Sequence, residues 1–473
     1  MGVALARGRA RRRHDVASLG RTVDGGEAMK RIVVLGGGFA GVAVARRLER
    51  KLRRDEAEIA LVSRDNFTLF TPMLPEVSSG GLEPRHVATP VRAQLHRTTF
   101  VLGEIAQLDL AERFVEARHP LTDAMTRLEY DHLVLALGSV TSTFGIPGVA
   151  EHTLALKTLE DAETLRNRVV AALEQAVVTP PGPRRERLLT FAVVGGGYTG
   201  CECAGELVDF FRSILPFYHP LLLADVRMVL IEAGPALLPD LPAAMGRYTT
   251  RNLSRRRVEL VIGDGVTHID ESGITLKSGT LIGAGTVVWS AGVRPSPILA
   301  SLPGCEHARN GGLVVNQDMS VIGCNGVWAL GDCAWIPTKP AAEQSDKSAW
   351  YPPTAQHAIR EGPALADNII ATLRGRPTKP FSYNSLGTMA SLGARRGVAA
   401  LPGGIVLTGF LAWFLWRSYY LVRLPGLDRQ VRVAFDWTLG LVFPRDIAEL
   451  RLYTERGQHQ AEADAGLDAP PRP

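Results

Sequence analysis

The sequence predicts an α/β protein of two Rossmann-like units, the second inserted into the first, followed by a C-terminal region of different character. Three observations carry that prediction. The pattern G-x-G-x-x-G occurs twice, as Gly36, Gly38 and Gly41 after the apolar run 32–35, and as Gly195, Gly197 and Gly200 after the run 191–194. A strand-like segment ending in Gly-Asp, residues 326–332 (GVWALGD), follows the second copy and returns the chain to the first sheet. Residues 397–416 then run for twenty positions without a charge. Between a strand and a helix, the first glycine of such a triplet turns the chain, and the second admits a pyrophosphate close to the backbone. The third lets helix pack on strand, and the phosphates sit at the helix N-terminus. One triplet alone is equally an ordinary strand-to-helix turn. Two copies in one chain describe two dinucleotide sites.

A chain of 473 residues with 46% hydrophobic and 21% charged residues has material for two or three folded domains. The net charge is +5, and six arginines against three acids in residues 1–28 account for +3 of it. The balance left for the body is too small for a nucleic-acid binder. Five cysteines, an odd number, with no apolar leader, point to a reducing compartment. Cys201 and Cys203 lie two apart on an expected helix and face different sides. No C-x-x-C occurs, so neither a redox disulfide nor a zinc site is expected, and no metal ligands are assigned.

Taken in order, residues 1–28 lack both apolar periodicity and the apolar core of a secretory signal. They read as a disordered basic extension, with Met29 a natural beginning just before the first strand. The first triplet opens a helix over 42–52, and residues 58–63 (EIALVS) form the next strand. An acid usually ends that strand and takes the ribose hydroxyls. Here Ser63 and Arg64 stand instead: a serine hydroxyl bonds a ribose less strongly, and Arg64 either lies against adenine or phosphate or is a solvated loop charge. Residues 66–81 read as a loop, 100–110 and 114–117 as strands, and 130–138 as a buried strand ending at Gly138. Residues 158–178 carry helical spacing, and 179–187 (TPPGPRRER) form a connector.

The second triplet opens a helix from Tyr198 past Glu206. An apolar insertion at 210–223 separates it from the strand 226–231, which ends at Glu232. A carboxylate there holds an adenosine ribose and repels a 2′-phosphate, which favours NADH over NADPH. Strands at 258–262, 273–276 and 286–289 follow, the last running into Gly292. A helix then extends from about 355 through Leu373.

In the charge-free stretch, Pro402, Gly403 and Gly404 leave an apolar piece at 405–416, too short to span a bilayer. Read as a helix, it places Leu407, Phe410, Leu411 and Phe414 on one face, with Trp413, Trp416, Tyr419 and Tyr420 beside them. Residues 395–432 hold six arginines against Asp428. Apolar, aromatic and basic residues together describe an element in the membrane interface. A core helix or a dimer contact is the competing reading. Residues 454–473 are polar and Pro-ended and read as disordered.

From about Lys30 to Leu450 the chain resembles the type II, non-proton-pumping NADH:quinone oxidoreductases, two-dinucleotide-binding-domain flavoproteins of the pyridine nucleotide-disulfide oxidoreductase superfamily. The matching stretches are GGGFAG (36–41), NFTLFTPMLPEV (66–77), FGIPG (144–148), GGGYTGCECAGEL (195–207), VLIEAGPALLP (229–239), TVVWSAGVRP (286–295), GVWALGDC (326–333), PPTAQHA (352–358) and GFLAWFLW (409–416). Two positions depart from the family: Ser63 replaces its acid, and Leu137 replaces the threonine of Ala-Thr-Gly.

The resemblance implies FAD on the first triplet and NADH on the second. It implies a FAD-binding domain over 30–155 and 291–378, an NADH-binding domain over 156–290, and a membrane-associating region over 379–453. Asp332 would bond the ribityl chain of FAD, and Ser63, Arg64, Gly138 and Gly292 would line the cofactor sites. Gln356 would sit by the isoalloxazine at the quinone end. Glu202 would approach the nicotinamide and the flavin; its bland role is charge compensation at a helix N-terminus. The expected partners are a quinone, the membrane surface on its cytoplasmic face, and a second copy of the chain in a homodimer. The competing activities are an NADH-dependent ferredoxin or rubredoxin reductase, which has no need of the apolar C-terminal segment, and a flavin-binding sensor that does not turn over. A sulfide:quinone reductase needs cysteines for polysulfide chemistry, and Cys305, Cys324 and Cys333 are not spaced for it.

Overall fold

The computed structural model describes residues 29–339 and 350–449. The basic extension before Met29 and the tail at 454–473 lie outside them. The chain forms two compact units. One is drawn from Met1–Thr68, Pro90–Ser139 and Pro295–Tyr383, the other from Leu69–Thr89, Val140–Arg294 and Asn384–Pro473.

The first unit is built on a five-stranded parallel sheet in the order Val327–Ala329, His132–Leu135, Lys30–Leu35, Ala57–Ser63, Thr99–Leu102. Strands of a parallel sheet are covered on both faces and read as unbroken apolar runs; Ile32, Val33, Val34 and Leu35 are accordingly all fully buried. Helix Phe39–Lys51 packs against helix Ala355–Leu373, and Gly362 sets the approach. A Cβ on Gly362 would stand 2.6 Å from Cβ of Ala43. The expected single strand over 100–110 is two. Gly103 lies between Thr99–Leu102 in the parallel sheet and Glu104–Asp109 in a three-stranded antiparallel one.

The second unit has its own five-stranded parallel sheet, ordered Leu154–Ala155, Thr286–Trp289, Thr190–Val194, Arg227–Glu232, Val258–Ile262. Thr158 caps the long helix Leu159–Val178 in a reciprocal capping box with Asp161. Helix Tyr198–Ile214 runs further than expected, so the first part of the supposed insertion at 210–223 is core: Phe210, Phe211 and Ile214 are buried. Residues 66–81 are more ordered than a loop. They hold a 3-10 turn, Thr71–Met73, and a helical turn, Leu74–Ser78, each with proline in its first positions, where no amide hydrogen is needed.

The C-terminal region corrects a second expectation. Thr388–Ser391, Gly397–Leu401 and Ile405–Thr408 form an antiparallel sheet, with Gly403 (φ +82°) and Gly404 (φ +80°) in the turn. Leu407 is therefore on a strand, and the helix begins only at Phe410, running to Arg423. A second helix, Leu427–Leu439, follows. No helix among the described residues is long and apolar enough to cross a membrane.

Candidate active site

In the first unit the glycine turn is a cradle. Gly36 has φ +112°, and a Cβ there would stand 2.1 Å from the Ala136 carbonyl oxygen. A Cβ on Gly41 would stand 2.0 Å from the Gly36 oxygen, so helix and strand touch through backbone alone. Gly38 caps the helix with no side chain, and nothing lies within 4 Å of where its Cβ would be. The first amides of a helix lack internal acceptors, so this opening fits a pyrophosphate. Ser63 Oγ lies over Gly37, 2.6 Å from a built Cβ. Arg64 is exposed and pairs with Asp65 at 3.5 Å. Gly138 is left-handed (φ +66°) with open space around it.

Asp332 sits in the 3-10 turn Gly331–Cys333, and its Oδ2 accepts a hydrogen bond from Ser139 Oγ at 2.5 Å. Gln356 is half-buried in the first turn of helix Ala355–Leu373. Its neighbour His357 is held by Thr354 Oγ1 at 2.7 Å from Nδ1, packs against Tyr351 and Tyr383, and is pushed down by burial. Sequence reasoning missed Glu361. It is buried on the same helix and accepts the Gly331 amide at 2.7 Å, and burial pushes its carboxyl up to about 7.

The second unit repeats the cradle. Gly195 has φ +108°, a Cβ on Gly200 would stand 1.8 Å from the Gly195 oxygen, and Gly197 faces open space. Glu232 closes one side: its Oε2 accepts the Gly196 amide at 2.6 Å and its Oε1 the Gly234 amide at 2.5 Å. Each oxygen keeps lone-pair capacity for a ribose hydroxyl. Phe144, left-handed and exposed, lays its ring over Gly292, 2.5 Å from a built Cβ. The fold thus brings together two sequence motifs nearly 150 positions apart.

Glu202 is buried on the helix that begins at Tyr198, and its Oε1 accepts the Ser391 amide at 2.9 Å. That contact exists because Gly205 has no side chain; a Cβ there would stand 2.5 Å from the Leu392 backbone. Burial pushes the Glu202 carboxyl up to about 8, with Glu76 and Glu206 adding to the shift, so it carries a proton at neutral pH. This is not the environment of a solvent-facing charge at a helix N-terminus.

The surrounding cluster had no recognisable signal beyond an acid inside the apolar run TPMLPEV. Glu76 is buried, takes Arg417 Nη2 at 3.1 Å and Trp437 Nε1 at 2.6 Å, and is pushed up by burial against the pull of Arg417. Glu206 takes Arg445 Nη2 at 2.7 Å and Ser79 Oγ at 3.2 Å. Arg417 was expected among the lipid-facing arginines. Instead it turns inward, its guanidinium 4.4 Å from the ring centres of both Trp413 and Trp437. Among the described residues Arg417 pairs with Glu76 and Arg445 with Glu206, while Glu202 has no arginine partner to offset its burial.

The model of the pyridine nucleotide-disulphide oxidoreductase family matches residues 30–362. The type II NADH:quinone oxidoreductase Ndh of Mycobacterium tuberculosis is 33% identical over 88% of this chain and 89% of its own length. NdhA of the same organism is 32% identical over 87% of each. The chain belongs to the type II NADH:quinone oxidoreductases. Its C-terminal residues 385–446 match the NDH2 C-terminal domain, which covers the sheet and both helices after Ser385. As a type II NADH:quinone oxidoreductase it also shares its fold with the NDH2 of Plasmodium falciparum solved in complex with NADH. The TM-score is 0.80 at 21% identity, over 89% of this chain and 99% of that one.

Proposed function

We propose that the first unit holds FAD, that the second binds NADH, and that the chain carries electrons from NADH to a quinone at a membrane surface without pumping protons. The observation that carries this reading is the pair of open glycine cradles, alike in backbone and unlike in the group beside them. Ser63 flanks the first and the Glu232 carboxylate flanks the second. Gly36, Gly38 and Gly41 would take the FAD pyrophosphate, with Asp332 on the ribityl chain and Gly138 and Ser63 beside it. FAD, when bound, accepts hydride from NADH and returns two electrons to the quinone.

The chain's own residues bind, orient and manage protons. Gly195, Gly197 and Gly200 seat the NADH pyrophosphate, Glu232 takes the adenosine ribose, and Gly292 lines the nicotinamide end. Glu202, protonated at neutral pH, supplies a proton at its carboxyl oxygen, and Gln356 orients the quinone through its amide. Arg64 stays at the edge of the FAD site as a solvated charge.

The apolar surface of the C-terminal helices supports membrane docking. Phe410, Leu411 and Phe414 are exposed on the first. Leu427, Val431, Phe435 and Leu439, spaced four apart, are exposed along the second. Trp413 and Trp416 are buried and belong to the protein core. A stripe of this kind lies in the interface plane, and we place it on the cytoplasmic leaflet, with the protein a homodimer. The test is stopped-flow mixing of the yellow holoprotein with NADH, followed by a ubiquinone or menaquinone analogue. Bleaching by NADH and recovery on quinone are expected. Bleaching with no recovery on either quinone would leave a sensor, and recovery only on ferredoxin would leave the other reductase.

A further inference from the structure

The absence of C-x-x-C predicts no redox disulfide, yet the fold brings two cysteines together. Cys305 and Cys324, nineteen positions apart, stand with their Sγ atoms 3.0 Å from each other in the first unit. Both thiols are free and half-buried against the edge of its core. A van der Waals contact between two sulfurs is wider, so only a small approach separates this pair from a covalent bond.

The backbone builds the meeting. Each cysteine follows a left-handed glycine, Gly304 at φ +76° and Gly323 at φ +80°. The two glycines pack together, with a Cβ on Gly323 only 3.0 Å from the Gly304 carbonyl oxygen. Left-handed backbone at both sites favours glycine, and the two turns deliver the thiols to one place. The Cys324 side is tied down: its amide donates to the Val321 oxygen and its carbonyl accepts from the Val327 amide. Val327 begins the strand that pairs with His132–Leu135 in the parallel sheet.

We infer that Cys305 and Cys324 form a reversible disulfide under peroxide, closing the 305–324 excursion onto the edge of the first unit's sheet. In the first step one thiolate attacks hydrogen peroxide. The O–O bond breaks, a sulfenic acid forms and hydroxide leaves. The second sulfur then attacks the sulfenyl sulfur, the S–S bond forms, the S–O bond breaks, and water leaves with the second thiol proton. The balance is two thiols and one peroxide giving one disulfide and two waters, and a dithiol reductant reverses it. Burial and the neighbouring Cys324 thiol push Cys305 up to about 12, so it stays protonated at neutral pH. Cys305 therefore acts as the resolving thiol, attacking the sulfenyl sulfur once it has formed. Cys201, Cys203 and Cys333 are buried and take no part.

The test uses the full-length holoprotein, reduced and then treated with hydrogen peroxide. Thiol titration in denaturant is expected to fall by two of the five cysteines, with fragmentation mapping one crosslink between Cys305 and Cys324. Dithiothreitol should restore both. Melting of the oxidised protein should rise by about 5 °C, since closing a loop of this length restricts the unfolded chain. Cys324→Ser should lose the thiol response, and Cys305→Ser should stop at a trapped sulfenic acid on Cys324. Five thiols retained, a crosslink to Cys333, or independent over-oxidation of the two cysteines in wild type would each overturn the inference without touching the quinone reductase reading.

Discussion

Replacing Glu202 by Gln separates function from stability in opposite directions. An acid whose native pKa lies above its unfolded value carries its proton in the fold and releases it on unfolding. For Glu202 these values are about 8 and 4.5. Folding at pH 7 therefore requires uptake of a proton across two and a half pH units, which costs about 3 kcal/mol as an upper figure. The cost is absent below pH 4.5, grows through pH 8, and is constant above it. Glutamine needs no proton, and its amide oxygen still accepts the Ser391 N–H. Glu202→Gln should thus match wild type in melting temperature near pH 4.5 and exceed it by about 5 °C at pH 8. Quinone turnover should fall by about 100-fold, the usual scale for loss of a general acid, while NADH still bleaches the flavin. The assay is a set of thermal melts from pH 4.5 to 9 beside single-turnover kinetics. A gap between wild type and variant that does not change with pH would refute the buried-proton argument.

Four further outcomes are expected. Gly200→Ala places a carbon 1.8 Å from the Gly195 oxygen, so NADH reduction should be lost while FAD content, measured by its absorbance, is retained. Glu232→Gln removes the charge that repels a 2′-phosphate, and the ratio of kcat/KM for NADH over NADPH should drop by at least about tenfold, from roughly 1.4 kcal/mol of repulsion. Arg417→Ala leaves Glu76 buried without its guanidinium and should cost about 3 kcal/mol in chemical denaturation; a change within half a kcal/mol would mean that the pair contributes nothing. Phe414→Ser and Phe435→Ser should each weaken sedimentation with anionic vesicles by about tenfold, from the apolar area they withdraw. Undiminished binding in the double variant would remove the C-terminal helices from the membrane.

Much of the site was legible because its signals are local. A G-x-G-x-x-G triplet lies within six positions, and the clashes at Gly36, Gly41, Gly195 and Gly200 show why no side chain fits there. The apolar runs before each triplet appear as buried parallel strands, since a sheet covered on both faces demands them. The acid at the end of the strand Arg227–Glu232 was equally visible, and its carboxylate does turn onto the glycine loop. Ambiguous local signals leave two segments to the tertiary structure. Residues 405–408 are a short apolar run, and period alone does not separate a strand from a helix over four positions. The hairpin turn at Gly403-Gly404 made it a strand. The helix after Gly197 continued through Phe210 and Phe211 because both are core residues, and apolar content alone did not distinguish a buried helix face from an exposed insertion.

What the sequence determined by itself were the two dinucleotide cradles, their order, and the change of character at the charge-free stretch 397–416. All of these arise from neighbours along the chain. What only the tertiary structure decided are the meetings between distant segments. Glu76, Glu202, Glu206, Arg417 and Arg445 come from four separate stretches and form one buried charge cluster, in which burial, with the help of Glu76 and Glu206, holds a proton on Glu202. Cys305 and Cys324 meet through two left-handed glycine turns that no spacing rule announces. Arg417 turns inward to Glu76, and the physical reason is that a carboxylate left buried without a partner is costly, a condition that exists only once the fold has buried Glu76.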